Sequence, residues 1–317
     1  MLPHSVKKVK VSPLVAIVGP TASGKSALAV ALAERFGGEV VSADSRQVYR
    51  GLDIGSGKIT KRERRGVPHH LLDVANPQRT FTVAQYQRLA RRAINGIWHR
   101  GKLPIICGGT GFYIEAVLRG NSFPHVKPNP KLRRRLDQKT TAELFRLLKT
   151  KDPARARAID RHNKRRLVRA LEIATALGSV PKTMNTPLSA HVLTIGLRKQ
   201  RNGLQRLIKR RLAQRLKRGL INEVRGLHTQ GLSWRKLESF GLEYRAVARH
   251  LQGKLTRAEM ERVIARESWQ YARRQMTWFR RMSKVAWITN AAEVTKLTRA
   301  FIQKEIARAE VSTRARI

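Results

Sequence analysis

Near the start of the chain, two glycines, a lysine and a serine stand at a spacing that suits phosphate binding. The segment VAIVGPTASGKS contains Gly19 and Gly24, followed directly by Lys25 and Ser26. Glycines allow backbone amides to converge on phosphate oxygens at a helix N-terminus, whose dipole favours anions. The lysine adds a point charge, and the serine hydroxyl can bind Mg²⁺. The pattern predicts a phosphate-binding loop made of Gly19, Pro20, Thr21, Ala22, Ser23, Gly24, Lys25 and Ser26.

The acidic residues that could work beside this loop are few. A nucleotide hydrolase or kinase needs a second acidic residue at a strand end to hold magnesium, but the apolar run LPIIC ends in GGTG. Asp73 and Asp44 remain as candidates. We expect Asp44 to follow a strand beside the loop, where its carboxylate faces the phosphate and assists magnesium or acts as a general base. The alternative is an aspartate that caps a helix or a turn.

Strands and helices alternate in the part of the chain that carries these residues. Apolar runs predict strands at residues 11–18, 39–45, 69–74 and 102–111, and helical periodicity predicts helices at 25–36 and 81–100. The alternation predicts a doubly wound α/β domain with a parallel sheet, in which ligands bind at the carboxyl ends of the strands. The phosphate loop, residues 44–47 and residues 108–111 would then share one edge.

From about residue 124 the sequence becomes helical and more basic. Helices are predicted at residues 129–138, 142–159 and 163–178. We therefore expect a helical insertion at 124–187 between a first core part at 11–123 and a second, mostly helical core part at 188–297. Strands are expected at residues 191–197 and 285–289. Residues 298–317 are expected to form a helix and a basic tail, to which we assign no function.

The 317-residue chain is strongly basic. It contains 66 Lys and Arg against 21 Asp and Glu, a net charge of +45. Self-repulsion opposes compaction, so the charge favours a polyanionic partner, with nucleic acid first and an anionic membrane surface second. Residues 131–220 hold 26 basic and 5 acidic residues, against 8 and 4 in residues 1–60. This distribution predicts an accessory polyanion-binding surface beside a more neutral core.

Cysteine content and hydropathy bear on the cellular location. Cys107 is the single cysteine, so an intramolecular disulfide is excluded and a reducing cytoplasm fits. No apolar run approaches the ~18 residues of a spanning helix. The first apolar run enters the phosphate loop without a small-residue cleavage site, which argues against a signal peptide. We expect a cytoplasmic protein that does not contact membranes, and nothing demands more than a monomer.

Six motifs occur in a fixed order: GPTASGKS, SADSRQVYRGLDIG, PHHLLD, GGTGFYI, RRLVRALEI and RRQMTWF. Together they closely resemble the bacterial tRNA dimethylallyltransferases (tRNA isopentenyltransferases), from about residue 14 to about residue 287. The combination is far more specific than any one motif. Departures are minor: the chain has DIGSGKI where the family usually has DIGTAKP, and Tyr86 stands where Phe is typical.

The resemblance implies a reaction and its substrates. A five-carbon prenyl group passes from dimethylallyl diphosphate to N6 of the adenine just 3′ of the anticodon, in tRNAs that read codons beginning with U, and pyrophosphate leaves. The helical insertion would hold the anticodon stem, with the reactive base extruded into a channel through the core. Backbone amides of residues 21–26, Lys25, and Mg²⁺ on Ser26 would neutralise the leaving diphosphate.

The resemblance also implies roles for individual residues. Asp44 is the general base, and Thr21 and Arg211 contact the diphosphate. The positions that match tRNA contacts in the family are Asp44, Ser45, Arg46, Gln47, Thr110, Arg133, Arg165, Arg166, Leu167, Val168 and Arg169. Without the resemblance, Arg211 would be one arginine among many.

Three other functions compete with this interpretation. An ATP-dependent small-molecule kinase would use the same loop but has no need of the basic insertion. An adenylate isopentenyltransferase acting on free nucleotide shares the core motifs and would not need the insertion either. A non-catalytic RNA-binding module would not need Asp44 behind an intact phosphate loop. Trp278, Phe279, Cys107, His69 and His70 are expected to be core or turn residues rather than ligands.

Overall fold

The computed structural model describes residues 12–182 and 184–314, and the chain forms two compact units. One unit comprises Met1–Arg119 and Pro187–Ile317, and the other comprises Gly120–Thr186. The second unit therefore starts at Gly120 rather than at residue 124. Residue 11 of the predicted first strand and residues 315–317 of the predicted tail lie outside the described residues.

The described part of the first unit contains a six-stranded parallel sheet. Its strands are β1 (Ser12–Val18), β2 (Gly38–Ser42), β3 (His69–His70), β4 (Leu103–Cys107), β5 (Ala190–Leu197) and β6 (Val285–Ile288). Their order across the sheet is β3-β2-β4-β1-β5-β6. Leu14 and Ala16 of β1 pack into one apolar core, whereas Val15 and Ile17 pack into another. Both faces of the sheet are thus covered, which confirms the doubly wound α/β fold.

Helices account for most of the remaining described residues. Those of the first unit are α1 (Lys25–Phe36), α2 (Lys61–Arg64), α3 (Val83–His99), α4 (Gly111–Arg119), α9 (Arg201–Lys217), α10 (Leu220–Thr229), α11 (Trp234–Ser239), α12 (Leu242–Leu251), α13 (Arg257–Arg280) and α14 (Ala291–Arg314). The second unit contains α5 (Pro130–Asp137), α6 (Thr141–Lys151), α7 (Pro153–Ala158) and α8 (Lys164–Leu177). Within the described residues, none of the helices combines the length and apolar character needed to span a bilayer.

Several predicted elements are shorter in the structure, including the strands expected at residues 39–45 and 102–111, and two of the differences have a clear local cause. The strand expected at residues 69–74 ends at His70, because Leu71 and Asp73 take positive φ angles of 63° and 59° that leave the extended conformation. The helix expected at residues 142–159 is broken at Asp152. Pro153 has no N–H to continue the helical hydrogen bonds, and the Asp152 side chain accepts the Arg155 amide to start α7.

The sheet order also corrects the expected position of Asp44. The strand that precedes it, β2, is not the neighbour of β1, because β4 lies between them and pairs in parallel with both. Ile105 is paired with Val15 on one side and with Val40 on the other. Asp44 therefore reaches the phosphate loop from two strand positions away, across the carboxyl end of β4.

The second unit has a small apolar core of its own. Leu136, Leu144, Leu148, Leu167 and Leu171 are at most 6% exposed and pack together. The amphipathic periodicity of α5, α6 and α8 brings one leucine-rich face of each helix into this core. Most of the basic residues of the same helices are exposed to solvent, whereas Arg133 and Arg169 are partly buried.

Candidate active site

The phosphate loop connects the carboxyl end of β1 to the N-terminus of α1. Gly19 has a φ of 146°, and a Cβ added there would lie 2.9 Å from the Leu197 carbonyl oxygen, so only glycine fits. Gly24, with a φ of 93°, is the N-cap residue of α1. The loop thus places the first backbone amides of α1 at the edge of the sheet, where a helix N-terminus attracts anions.

Lys25 is held close to the loop that it follows. Its Nζ donates a hydrogen bond to the Pro20 carbonyl oxygen at 2.6 Å. Burial, together with the charge of Arg211, lowers the pKa of Lys25 to about 8, although Cys107 and Asp44 act in the opposite direction. The ammonium group therefore lies within electrostatic reach of both Arg211 and Asp44, although the three residues are far apart in the sequence.

Arg211 projects from α9 into a pocket next to the loop. The pocket is lined by Thr21, Ala22, Ile208, Arg211, Leu212, Arg215, Glu243, Ile264 and Ser268. Burial lowers the pKa of Arg211 to about 10, as does the charge of Arg215, while Glu243 and Asp44 oppose this shift. The lining combines apolar side chains with two arginines, of which Arg215 pairs with Glu243, so Arg211 is the lining cation suited to the anionic part of a ligand that also has a hydrocarbon part.

Asp44 lies just beyond β2 and orients the turn that follows. Its Oδ1 accepts hydrogen bonds from the amides of Arg46 at 2.8 Å and Gln47 at 3.4 Å. The turn role considered from the sequence is therefore present. The Asp44 charge also acts on Lys25, Arg211 and Tyr271, so the carboxylate lies within electrostatic reach of the phosphate loop.

The neighbours of Asp44 are tied to the loop after β4. The Thr110 hydroxyl oxygen accepts the Ser45 amide at 3.1 Å, and the Thr110 amide donates to the Ala43 carbonyl at 3.1 Å. The Gln47 side chain donates to the Gly57 carbonyl at 3.2 Å and contacts Ser42 Oγ at 3.3 Å. The predicted residues Ser45, Gln47 and Thr110 are thus brought together around Asp44 at the strand ends.

Tyr271 and Gln275, two residues of α13, complete the site and were not singled out in the sequence. Burial raises the pKa of Tyr271 to about 12, and the charge of Asp44 acts in the same direction, while Thr110 opposes the shift. Gln275 Oε1 accepts the Thr21 amide at 2.8 Å. The Thr21 amide, which was expected to bind a diphosphate, thus donates to Gln275 in this structure.

The predicted tRNA contacts of the second unit, Arg133 and residues 165–169, include both buried and exposed side chains. Leu167 and Val168 are 0% and 7% exposed, so their side chains belong to the core and cannot contact tRNA in this conformation. Arg133 and Arg169 both bond to the buried Glu172, which shows that they also have a structural function. Arg165 and Arg166 are exposed to solvent.

A magnesium ion at the loop would depend on few protein ligands. Among the described residues, no cluster of three or more His, Cys, Asp or Glu could hold a metal. Ser26 is exposed at the start of α1, and Mg²⁺ is commonly bound by one or two protein oxygens together with substrate phosphates and water. The donor set therefore fits Mg²⁺ carried in with a diphosphate.

The residues expected to be structural are structural. Cys107 and Phe279 are buried, and Trp278 packs against the core. His70 pairs with Glu39 at 2.7 Å, and His69 contacts the Val67 carbonyl at 2.8 Å. Tyr86 is fully buried with its hydroxyl donating to the Ser42 carbonyl at 3.0 Å, so the extra oxygen relative to phenylalanine has a partner.

Comparisons with known proteins place this chain in a family. The family model described as IPP transferase matches residues 47–282. A tRNA dimethylallyltransferase of Thermomicrobium roseum is 44% identical over 284 residues, covering 88% of this chain and 86% of the relative. The tRNA dimethylallyltransferase 2 of Trichlorobacter lovleyi is 41% identical, covering 88% and 93%.

Solved structures agree with the sequence relatives. The full-length tRNA isopentenylpyrophosphate transferase of Bacillus halodurans is similar with a TM-score of 0.71 and 36% identity, over 95% of this chain and 99% of that chain. A eukaryotic dimethylallyltransferase shares the fold with a TM-score of 0.74 at 23% identity, over 94% and 80%. This chain belongs to the IPP transferase family, a family of prenyltransferases.

Proposed function

We propose that the protein transfers a dimethylallyl group from dimethylallyl diphosphate to N6 of the adenine 3′ of the anticodon, in tRNAs that read codons beginning with U, with release of pyrophosphate. We further propose that it acts as a monomer in the cytoplasm. The observation that carries the proposal is that Lys25, bonded to the phosphate loop, lies within electrostatic reach of both Arg211 and Asp44. Two cations and one carboxylate are what a leaving diphosphate and an amine nucleophile require.

The two parts of the proposed donor, a diphosphate and a hydrocarbon, match the polar and the apolar residues of the site. Its diphosphate would be bound by the loop residues 19–26, with Lys25, Arg211 and the Thr21 side chain as its charged and polar contacts. Ile208, Leu212 and Ile264 line the pocket beside these groups and would contact a five-carbon hydrocarbon. Mg²⁺, bound to Ser26 and to the diphosphate oxygens, would supply further neutralisation of the leaving group.

The transfer step breaks one bond in the donor, forms one bond to adenine and moves one proton. The C–O bond of the donor breaks, a bond forms between its C1 carbon and adenine N6, and the N6 proton passes to the Asp44 carboxylate. The lone pair of N6 is delocalised into the ring, so the amine is a poor nucleophile until its proton is removed. Lys25 and Arg211 stabilise the charge that develops on the departing diphosphate.

The tRNA would be bound through its backbone and its extruded base. The exposed Arg165 and Arg166 are suited to phosphates and fix the register of the RNA without reading its sequence. Ser45, Arg46, Gln47 and Thr110 surround Asp44 and would contact the extruded nucleotide. Arg133 and Arg169 keep a tRNA role in this proposal only through the parts of their guanidinium groups that Glu172 does not occupy.

One assay separates the proposed function from its competitors. The protein is incubated with Mg²⁺ and labelled dimethylallyl diphosphate, with tRNA or adenosine monophosphate as the acceptor, and separately with labelled ATP and the same two acceptors. We expect label in tRNA alone. Label in adenosine monophosphate would instead identify an adenylate isopentenyltransferase, and ATP turnover would identify a kinase-like enzyme.

A further inference from the structure

Gln275 of α13 connects two loops that are distant in the sequence. Its side-chain oxygen accepts the Thr21 amide at 2.8 Å, and its side-chain nitrogen donates to the Gly109 carbonyl at 2.8 Å. The first partner belongs to the phosphate loop and the second to the loop after β4. A single side-chain amide therefore connects the loops that follow β1 and β4.

The connection is tightly packed. Gln275 is 5% exposed, and a Cβ added at Gly109 would overlap its side-chain nitrogen. Any larger residue at this position would therefore displace the Gln275 side-chain amide. Both polar ends of the amide have partners, so replacing it by an apolar side chain leaves a buried N–H and a buried carbonyl unpaired.

The connection continues to the general base. Thr110, the residue after Gly109, accepts the Ser45 amide through its hydroxyl and donates its own amide to Ala43. Asp44 lies between these two residues and is positioned by both. A continuous series of hydrogen bonds thus runs from the Thr21 amide through Gln275 and the 109–110 peptide to the Asp44 turn.

We propose that Gln275 is a positioning residue that sets the separation between the diphosphate held by the phosphate loop and the carboxylate of Asp44. The proposal rests on the function proposed above. It assigns to the Gln275 amide no contact with substrate. Its role is to hold the donor loop and the base in register, because displacement of reacting groups by about 1 Å can lower a rate ~10²-fold.

The direct test is Gln275→Met, which keeps the length of the side chain and removes both hydrogen bonds. The matched control is Gln270→Met, the same change at an exposed position of the same helix. We expect Gln275→Met to weaken the binding of inorganic pyrophosphate, measured by calorimetry, and to lower kcat on tRNA by ~10²-fold. The affinity for tRNA should stay at the wild-type value, and Gln270→Met should behave as the wild type.

A second variant interrupts the series at its other end. Thr110→Val removes the acceptor of the Ser45 amide and leaves the contact between Gln275 and Thr21 in place. We expect unchanged pyrophosphate affinity and a lowered kcat at saturating tRNA. This split between binding and turnover distinguishes positioning of the base from a general loss of structure.

Clear results would overturn the inference. Wild-type pyrophosphate affinity and wild-type kcat in Gln275→Met would remove Gln275 from any positioning role. If Gln275→Met melts below the assay temperature, Thr110→Val decides, and an unchanged kcat in that variant contradicts the proposal. Failure of the wild-type protein to prenylate tRNA would refute the proposed function instead, and the pyrophosphate measurement would still test Gln275.

Discussion

At the scale of single residues, Lys25 and Arg211 carry charge in surroundings that disfavour it. Burial lowers the pKa of Lys25 to about 8 and that of Arg211 to about 10. An anion bound between them restores the interactions that the two groups lose when they leave water. The pocket is therefore prepared for a negatively charged ligand before that ligand arrives.

This pKa leads to a pH dependence of donor binding. The Lys25 ammonium is lost as the pH rises through about 8, and a diphosphate prefers the protonated form. We expect the affinity for inorganic pyrophosphate to fall by up to ~10-fold per pH unit above pH 8, measured by calorimetry. Pyrophosphate itself also ionises in this range, and Lys25→Met is the control, because its pH profile contains the pyrophosphate ionisations without that of Lys25. Parallel pH profiles of the two proteins would contradict the assignment.

Asp44 gives a second prediction at this scale. In Asp44→Asn, the side-chain oxygen can still accept the Arg46 amide, so the turn is preserved. The amide cannot take the N6 proton, and we expect kcat to fall by ~10²–10⁴-fold while tRNA affinity changes little. Single-turnover kinetics and a tRNA binding titration measure the two quantities. Undiminished turnover would exclude Asp44 as the base.

At the scale of elements, the second unit depends on a buried carboxylate. Glu172 on α8 is 1% exposed and accepts hydrogen bonds from the Asn129 amide, Arg133 and Arg169. Although burial opposes the shift, bonds from Arg133, Asn129 and Arg169 lower the pKa of Glu172 to about 2. The residue joins α5 to α8 and fixes two of the arginines on this unit.

Glu172→Gln should therefore destabilise the second unit. Loss of a buried charge between two guanidinium groups costs about 2 kcal/mol or more, and thermal unfolding should show it, whereas Asp137→Asn on an exposed face of α5 should be neutral. Because the folded pKa lies below the usual value, the contribution of Glu172 is present above pH 4.5 and is lost as the pH falls towards 2. A variant as stable as the wild type at neutral pH would contradict this account.

Local sequence signals determined some elements better than others. The helix predicted at residues 25–36 is α1 with the same bounds, because glycines mark both of its ends. The strand predicted at 69–74 was too long, since apolar periodicity carries no sign of the positive φ angles at Leu71 and Asp73. Residues 142–159 were predicted as one helix, whereas the structure has two, α6 and α7. Asp152 and Pro153 are a typical start of a new helix and could have indicated the break.

The site was predictable only in part, for a related reason. The phosphate loop is a local pattern, whereas Gln275 is a lone glutamine whose partners are 254 and 166 residues away in the sequence. The quoted motif RRQMTWF contains it, yet no spacing rule marks it. The apolar periodicity of α8 could have predicted that Leu167 and Val168 are buried. The prediction missed this because it treated all of residues 165–169 as tRNA contacts.

At the scale of the whole molecule, the net charge of +45 predicts a strong salt dependence of tRNA binding. Each phosphate contact releases counterions, so affinity should fall steeply between ~50 and ~200 mM salt. Replacing Arg165 and Arg166 by Gln should reduce the slope of the log–log plot by about 2. Replacing Arg35 and Arg62, two exposed arginines of the other unit, should leave it unchanged. A flat response in the wild type would mean that the charge is merely solvated.

The central claim is that the phosphate loop holds the diphosphate of a prenyl donor as a leaving group. The most direct measurement is the stoichiometry of a single turnover with Mg²⁺, dimethylallyl diphosphate and tRNA in the complete absence of nucleoside triphosphate. We predict one pyrophosphate released for each dimethylallyl group found on adenine N6 of the tRNA. A requirement for ATP, or release of orthophosphate in place of pyrophosphate, would contradict the account.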